Sequence, residues 1–175
     1  MHTFFAVIFT AVVLQRVAEL RLARRNGERV KELGGYEVGA GHYKYIVMLH
    51  AAFFAGLAAE VLLGGASMPE WWWLPFSLFV AAQELRIWCI RSLGMYWNTR
   101  IWVVPDMEPV RRGPYRHFRH PNYIVVTLEL VLLPLTFGAL RTAAFIALAN
   151  ALVLRQRIAA EEAAIAAVVR GRNVQ

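Results

Sequence analysis

Apolar residues along the chain gather into five long runs separated by short polar or basic segments. The runs are Thr3 to Leu20, Tyr43 to Leu63, Trp71 to about Leu93, Pro121 to about Phe137, and Thr142 past Leu154. Each approaches the ~20 mostly apolar residues that an α-helix needs to cross a bilayer. The last can continue as helix to Val169, because residues 143–167 are rich in alanine, the strongest helix former. Gly64, Gly65, Ser67 and Pro69 mark a turn after the second run. Trp71, Trp72 and Trp73 open the third run and suit the aromatic belt of a membrane interface. A signal peptide is a competing reading of the first run. No basic segment precedes that run and no small-residue cleavage site stands out, so it is read as a span. The pattern predicts an all-α integral membrane protein with five transmembrane helices.

The basic residues sort the intervening segments. Arg21, Arg24, Arg25, Arg29 and Lys31 lie between runs one and two. Arg100, Arg111, Arg112, Arg116 and Arg119 lie between runs three and four, and Arg155, Arg157, Arg170 and Arg172 follow the apolar part of run five. The turn after run two has no Lys or Arg, and the turn after run four has only Arg141. With five spans, all three rich segments share one side. The positive-inside rule makes that side the cytosol, with the N-terminus outside and the C-terminus cytosolic. The expected location is the cell (inner) membrane.

Composition agrees. Of 175 residues, 58% are hydrophobic and 18% charged, and the mean hydropathy is +0.43. A soluble domain has ~45–50% apolar and ~25% charged residues, so neither a disordered chain nor an ordinary soluble enzyme fits. Cys89 is the one cysteine, which excludes an intramolecular disulfide and a cysteine-only metal site. The net charge of +7 is accounted for by cytosolic loops, and no nucleic-acid partner is expected. The length suits a single domain, 1–175, with a two-helix part (1–70) and a core (71–175) that carries a cytosolic loop of about 25 residues. Loops that long are often functional.

Most of the chemistry-bearing residues sit in that loop or beside it. Gly113-Pro114-Tyr115-Arg116-His117-Phe118-Arg119-His120-Pro121-Asn122-Tyr123 interleaves two prolines and three aromatic residues with charges. Pro121 suits the first turn of span four, which puts His120 near a helix N-cap whose free N–H groups favour an anion or a polar ligand. A juxtamembrane basic stretch touching lipid head groups is the plainer reading of the same residues. Arg157 and Glu161 are four apart, and Arg155 and Glu162 seven apart, so each pair shares a helical face. A self-paired, solvated helix end is the plainer reading there. Glu129 lies about two turns inside span four, and an acid at such depth costs ~2.5–3.5 kcal/mol unless it faces a cavity or partner. Glu84 has Arg91 and Arg100 as candidate partners. Glu60, near the outer end of span two, reads as snorkelling. His42, His50, His117 and His120 lack acid and cysteine partners at ligand spacing, so no metal site is expected. Glu37-Val38-Gly39-Ala40-Gly41 looks like a Rossmann glycine motif but has no α/β context, and it reads as a loop before span two.

Arg119-His120-Pro121-Asn122-Tyr123 behind Gly113-Pro114-Tyr115, followed by Arg155-x-Arg157-x-x-x-Glu161-Glu162, resembles the isoprenylcysteine carboxyl methyltransferase family. The resemblance covers roughly residues 90–165. Arg16 to Leu20, Arg24-Arg25-Asn26 and His42-Tyr43 through His50 look like a bacterial branch that O-methylates alkylpyrones and alkylresorcinols, the products of type III polyketide synthases. The resemblance implies an all-helical membrane enzyme that transfers a methyl group from S-adenosylmethionine to a lipid-like acceptor at the cytosolic face. By motif match Tyr115, Arg116, His120, Pro121, Asn122, Tyr123 and Glu162 bind the cofactor, and Arg157 and Glu161 are catalytic. Glu129 is added as a candidate base. A carboxylate acceptor needs only orientation, whereas a phenol or enol benefits from a base such as Glu129 or His120. Two alternatives stand beside this reading: a nicotinamide-dependent membrane reductase of the sterol-reductase type, and a lipid-binding protein without catalysis. The expected partners are membrane lipids, the lipid-like substrate and a type III polyketide synthase that supplies it.

Overall fold

The computed structural model describes residues 1–105 and 108–172, with side chains through residue 168. Five α-helices carry the chain: α1 (His2–Glu32), α2 (Ala40–Leu62), α3 (Trp73–Leu93), α4 (Pro121–Thr136) and α5 (Leu140–Arg172). Two short strands, β1 (Tyr36–Val38) and β2 (Ile101–Val103), pair antiparallel with Glu37 opposite Trp102. Short 3-10 turns occupy Gly94–Tyr96 and Gly113–Arg116.

Three helices, α1, α2 and α5, are long and apolar enough to cross a membrane. The five expected spans correspond to the five helices, but two of them are less simple. At 16 residues, α4 rises only about 24 Å, less than the ~30 Å of a hydrocarbon core. The third helix includes Glu84, Arg86 and Arg91 in its apolar run.

The first helix differs most from its expected bounds. It continues twelve residues past Leu20, because Arg21 to Glu32 is dominated by good helix formers. Asn26 and Val30 anchor this extension. Asn26 Nδ2 donates to the Trp97 carbonyl at 2.7 Å, and Val30 is buried. The segment read as a loop before span two is also structured. Tyr36–Val38 forms a strand, and α2 starts at Ala40, three residues ahead of Tyr43, with Gly39 in the left-handed region at φ 69°. Three-residue strands are too short for an alternating pattern to show in the sequence.

The bundle has three layers along its length. At the Trp71–Trp73 end lies an aromatic core. Phe5 meets Phe137 edge-on at 5.0 Å, Phe9 meets Phe54 at 5.6 Å, and Phe4 meets Phe76 at 5.3 Å. Glu60 also works at this end. Its carboxylate accepts from the backbone N–H groups of Arg141 (3.1 Å) and Thr142 (2.8 Å) and from the Thr142 hydroxyl. It therefore caps the first turn of α5 from a neighbouring helix, which the snorkelling reading did not foresee. Gly138, at φ 71°, turns α4 into α5, and a Cβ there would stand 2.1 Å from the Ser67 carbonyl oxygen.

The middle layer is ionic. Arg86, 3% exposed, donates through Nε to Glu129 Oε1 at 2.6 Å, and its Nη2 bonds the other oxygen. Arg16 Nη2 reaches the same carboxylate at 2.8 Å, and Gln83 adds a bond at 2.7 Å. Glu19 accepts from Arg16 (2.5 Å), Arg86 (3.2 Å) and Gln15 (2.9 Å). Two cations and two anions thus cancel among α1, α3 and α4. The hairpin and both 3-10 turns form the third layer at the opposite end.

A buried ion pair resists loss of one partner more than it rewards having both, because the survivor is left uncompensated. Arg86→Ala should therefore lower the thermal unfolding midpoint in detergent, by an amount equivalent to about 3–5 kcal/mol. Arg24→Ala, which removes an exposed pair with Glu28, should leave it unmoved. Equal midpoints for the two variants would remove the ionic layer from the account of stability.

Candidate functional site

The site forms where the start of α4 faces the last third of α5. Pro121 occupies the first turn of α4, where its missing N–H costs nothing, and His120 sits at the N-cap position. Tyr123 is one turn in and reaches α5. Its hydroxyl donates to Glu161 Oε2 and accepts from Arg157 Nε at 2.9 Å. Arg157 and Glu161 therefore do not pair directly, as a solvated helix end would; they meet through the phenol. Arg157 is 8% exposed, and its Nη2 donates to the Thr99 carbonyl at 2.7 Å. That bond ties α5 to the loop between α3 and β2. His120 stacks on the Tyr123 ring at 5.3 Å and 19°, with Nε2 3.3 Å from Glu162.

Deeper tethers hold the α4–α5 pair in register. Asn150 Nδ2 donates to Thr127 Oγ1 at 3.0 Å, and Thr127 Oγ1 donates to the Tyr123 carbonyl at 2.9 Å. Tyr115 is placed by the Gly113 turn. Gly113 has φ 57°, and a Cβ there would stand 2.0 Å from Ser92 Oγ and 2.9 Å from Trp88 Nε1. Only glycine lets the backbone lie this close to α3.

These groups wall a cavity of about 240 Å³. Of the residues expected at the site, it is lined by Tyr115, His120, Asn122, Tyr123, Arg157 and Glu161. Pro121 is buried beneath it, while Glu162 is exposed and touches the site through His120. Arg116 is exposed and does not line the cavity. Glu129 is not brought to the site at all; its carboxylate is held by Arg16, Gln83 and Arg86 in the middle layer. Arg100, a candidate partner of Glu84, instead bonds Glu37 at 2.6 Å across the hairpin.

The sequence reading missed Trp97, Asn98, Thr99 and Trp102, which complete the walls or tether them. Their run, Trp97-Asn98-Thr99-Arg100-Ile101-Trp102, mixes aromatic and polar residues much as the Gly113–Tyr123 stretch does, and that was the available signal.

Four buried side-chain atoms have no hydrogen-bond partner among the described residues: Trp97 Nε1, Trp102 Nε1, Tyr115 Oη and Asn122 Oδ1. All four belong to residues that line this cavity. Buried polar groups are normally paired, so their concentration here marks a surface built to recognise a polar ligand. Burial also pushes the Tyr115 hydroxyl above its ordinary pKa, keeping it a neutral donor.

The model of the Isoprenylcysteine carboxyl methyltransferase (ICMT) family matches residues 73–167, from the start of α3 into α5. The chain belongs to this family. The matched stretch contains every residue expected at the site. Two relatives extend the likeness over nearly the whole chain. Uncharacterized protein YpbQ of Bacillus subtilis is 42% identical over 161 residues, 92% of this chain and 96% of that protein. An uncharacterized protein of Haemophilus influenzae is 23% identical over 163 residues, 93% and 95% of the two chains. Family and apolar helices together make this a membrane methyltransferase.

The glycine turn provides a test of how the site is placed. Gly113→Ala should lower the unfolding midpoint in detergent, because the added Cβ has no room against Ser92 and Trp88 and Tyr115 must move with the turn. Gly41→Ala adds a Cβ that meets nothing within 4 Å and serves as the control. An unchanged midpoint in Gly113→Ala would show that the turn does not set the cavity.

Proposed function

We propose that the protein is an S-adenosylmethionine-dependent O-methyltransferase acting on a lipid-like acceptor at the cytosolic face of the cell membrane. The observation that carries this reading is the cluster of four unpartnered buried polar atoms on one aromatic-walled cavity beside Arg157 and Glu161. The donor set fits the cofactor. Trp97 and Trp102 offer flat apolar faces and N–H donors to a purine, and Asn122 Oδ1 can accept from an amino group. Glu161 with Glu162 suits an ammonium group. When bound, the cofactor supplies an electrophilic methyl group on a sulfonium.

The chain's own residues then do three things. Arg157, fixed by Thr99 and Tyr123, orients an oxygen for in-line attack. Tyr123 donates a hydrogen bond to Glu161 and holds that carboxylate in place. Trp97 and Trp102 keep water from the reacting atoms. Glu129 acts at a distance, by fixing α4 against α1 and α3, and touches neither reactant.

Five crossings with the N-terminus outside are consistent with the arrangement at the site end. Asn26 on α1 bonds Trp97, and Arg157 on α5 bonds Thr99, so the three basic segments meet at one end of the bundle. The positive-inside rule assigns that end to the cytosol, where a soluble methyl donor is available. The acceptor is an alkylpyrone or alkylresorcinol hydroxyl or an isoprenylcysteine-type carboxylate. For the first two, a type III polyketide synthase is the supplying partner.

Calorimetric titration of the detergent-purified protein should give saturable, micromolar-range binding of S-adenosylhomocysteine and none of NADPH. Tyr123→Ala should abolish that binding. Arg157→Ala and Glu161→Ala should lose methyl transfer while the protein still inserts and melts cooperatively. Binding of NADPH in place of S-adenosylhomocysteine would replace this reading with the reductase one.

A further inference from the structure

The segment Trp97 to Trp102 runs as a strap along the wall of the site cavity. Behind it lies a second cavity of about 410 Å³, lined mainly by α1, including Leu20, Gly27 and Lys31. Asn98, Arg100 and Trp102 line both cavities, so the strap has space on either side. A wall of that kind cannot take its position from close packing alone. Directional bonds must supply it.

The strap is fastened residue by residue. Asn26 Nδ2 donates to the Trp97 carbonyl at 2.7 Å, and Asn98 Nδ2 donates to the Ala23 carbonyl at 2.8 Å. Asn98 Oδ1 accepts from the Arg100 backbone N–H at 3.0 Å. The Thr99 carbonyl accepts from Arg157 at 2.7 Å, and the Thr99 hydroxyl lies 3.4 Å from that of Tyr43. The Arg100 guanidinium is gripped twice, by the Glu37 carboxylate at 2.6 Å and by the Tyr43 ring at 4.1 Å. Trp102 lies opposite Glu37 in the hairpin. Gly39 turns the chain between Glu37 and Tyr43. A Cβ there would stand 3.8 Å from both Ile101 and Ala160, so this turn rests on β2 and on the part of α5 that carries Arg157 and Glu161. The anchors Ala23, Asn26, Glu37 and Tyr43 all precede residue 73, where the family match begins. Neither Glu37 nor Tyr43 lines the site cavity. An exposed ion pair and an exposed cation–π contact add little stability. What two grips on one guanidinium do fix is its position.

We infer that Glu37 and Tyr43 are positioning residues for the methyl-donor site, acting on it through the strap. Through Arg100 and Thr99 they set the carbonyl that fixes Arg157. Through the hairpin Glu37 also sets Trp102. The unpartnered N–H groups of Trp97 and Trp102 can meet a ligand only while the strap keeps its place. The N-terminal part thus completes a site whose Arg157, Glu161 and unpartnered polar atoms all belong to the family-matched stretch. The inference rests on the methyltransferase reading above.

The test uses the full chain in detergent, with S-adenosylhomocysteine as the probe. Glu37→Ala and Tyr43→Leu each release one grip. Glu37→Gln keeps a carbonyl oxygen for Arg100, and Tyr43→Phe keeps the ring beneath it. Glu37→Ala and Tyr43→Leu should each weaken calorimetric binding about threefold, and together about tenfold. Each single variant's unfolding midpoint should stay within about 3 °C of wild type. Glu37→Gln and Tyr43→Phe should bind within about twofold of wild type. Backbone hydrogen exchange across residues 97–103 should quicken in the first two variants and not in the conservative ones. Binding within about twofold of wild type in the double variant Glu37→Ala, Tyr43→Leu overturns the positioning role. Equal loss in the conservative variants overturns it too, as does a midpoint fall as large as that of Arg86→Ala, which would make the grip a matter of folding. Failure of the wild type to bind S-adenosylhomocysteine overturns the methyltransferase reading instead. Unchanged exchange of the strap in the double variant would in that case still overturn the grip itself.

Discussion

Burying charge in an apolar bundle is tolerable only when every charge is answered, and this constraint organises the helices. A carboxylate in the middle of α4 needs donors, and for Glu129 four arrive from three side chains: Arg16, Gln83 and Arg86. Arg86 in turn needs more than one carboxylate oxygen, and Glu19 supplies another. Each bond specifies a rotation and a depth for the helix that carries it. A shift of α1 by one residue would turn Arg16 and Glu19 about 100° around the helix axis, away from Glu129 and Arg86. Apolar packing alone has no comparable directionality, because one phenylalanine contact can be exchanged for another at small cost. The ionic layer therefore sets the register of α1, α3 and α4, and the two ends of the bundle inherit it.

The site end uses that register. With α3 and α4 fixed, the Gly113 turn packs on Ser92 and Trp88 and sets Tyr115 beside the start of α4. With α1 fixed, Asn26 holds the Trp97 carbonyl, and the loop beyond it carries Thr99 to Arg157. Strands β1 and β2 close the circuit by joining the α1–α2 connection to the same loop. Arg157 is thus held directly by α4 through Tyr123 and by the α3–β2 loop through Thr99, a loop that α1 and β1 fix in turn. Such over-determination holds the guanidinium in one place, since a long side chain is otherwise costly to immobilise.

What the sequence made legible follows from the range of each interaction. The start of α4 was readable because Pro121 and the apolar run after it are local. The shared face of Arg157 and Glu161 was readable because it depends only on helical spacing. Glu129 could be flagged as needing partners, since the cost of an intramembrane acid depends on depth alone. Its partners could not be named, because Arg16 and Arg86 lie 113 and 43 residues away. Glu60 was misread for the same reason: its receivers, the first N–H groups of α5, are 81 and 82 residues distant. The two strands were invisible because three residues carry no period. Arg100 was offered to Glu84, on a neighbouring helix by sequence, and the unseen hairpin gave it to Glu37.

The family match and the two cavities divide the chain along the same line. Residues 73–167 hold the cavity with the unpartnered polar atoms, whereas α1, β1 and α2 contribute most of the second cavity's wall. The ionic layer crosses this boundary, since Arg16 and Glu19 belong to the N-terminal part and Arg86 and Glu129 to the matched part. The N-terminal helices are therefore not an appendage that could drift without consequence. Change in the lining residues Leu20, Gly27 or Lys31 can reshape what the second cavity admits, while Arg16 and Glu19, on the same helix, must stay to keep Glu129 and Arg86 satisfied. One helix thus carries two kinds of position, a structural set in the middle layer and an adjustable set at the site end. That separation allows the second cavity to change without unsettling the register on which the site cavity depends.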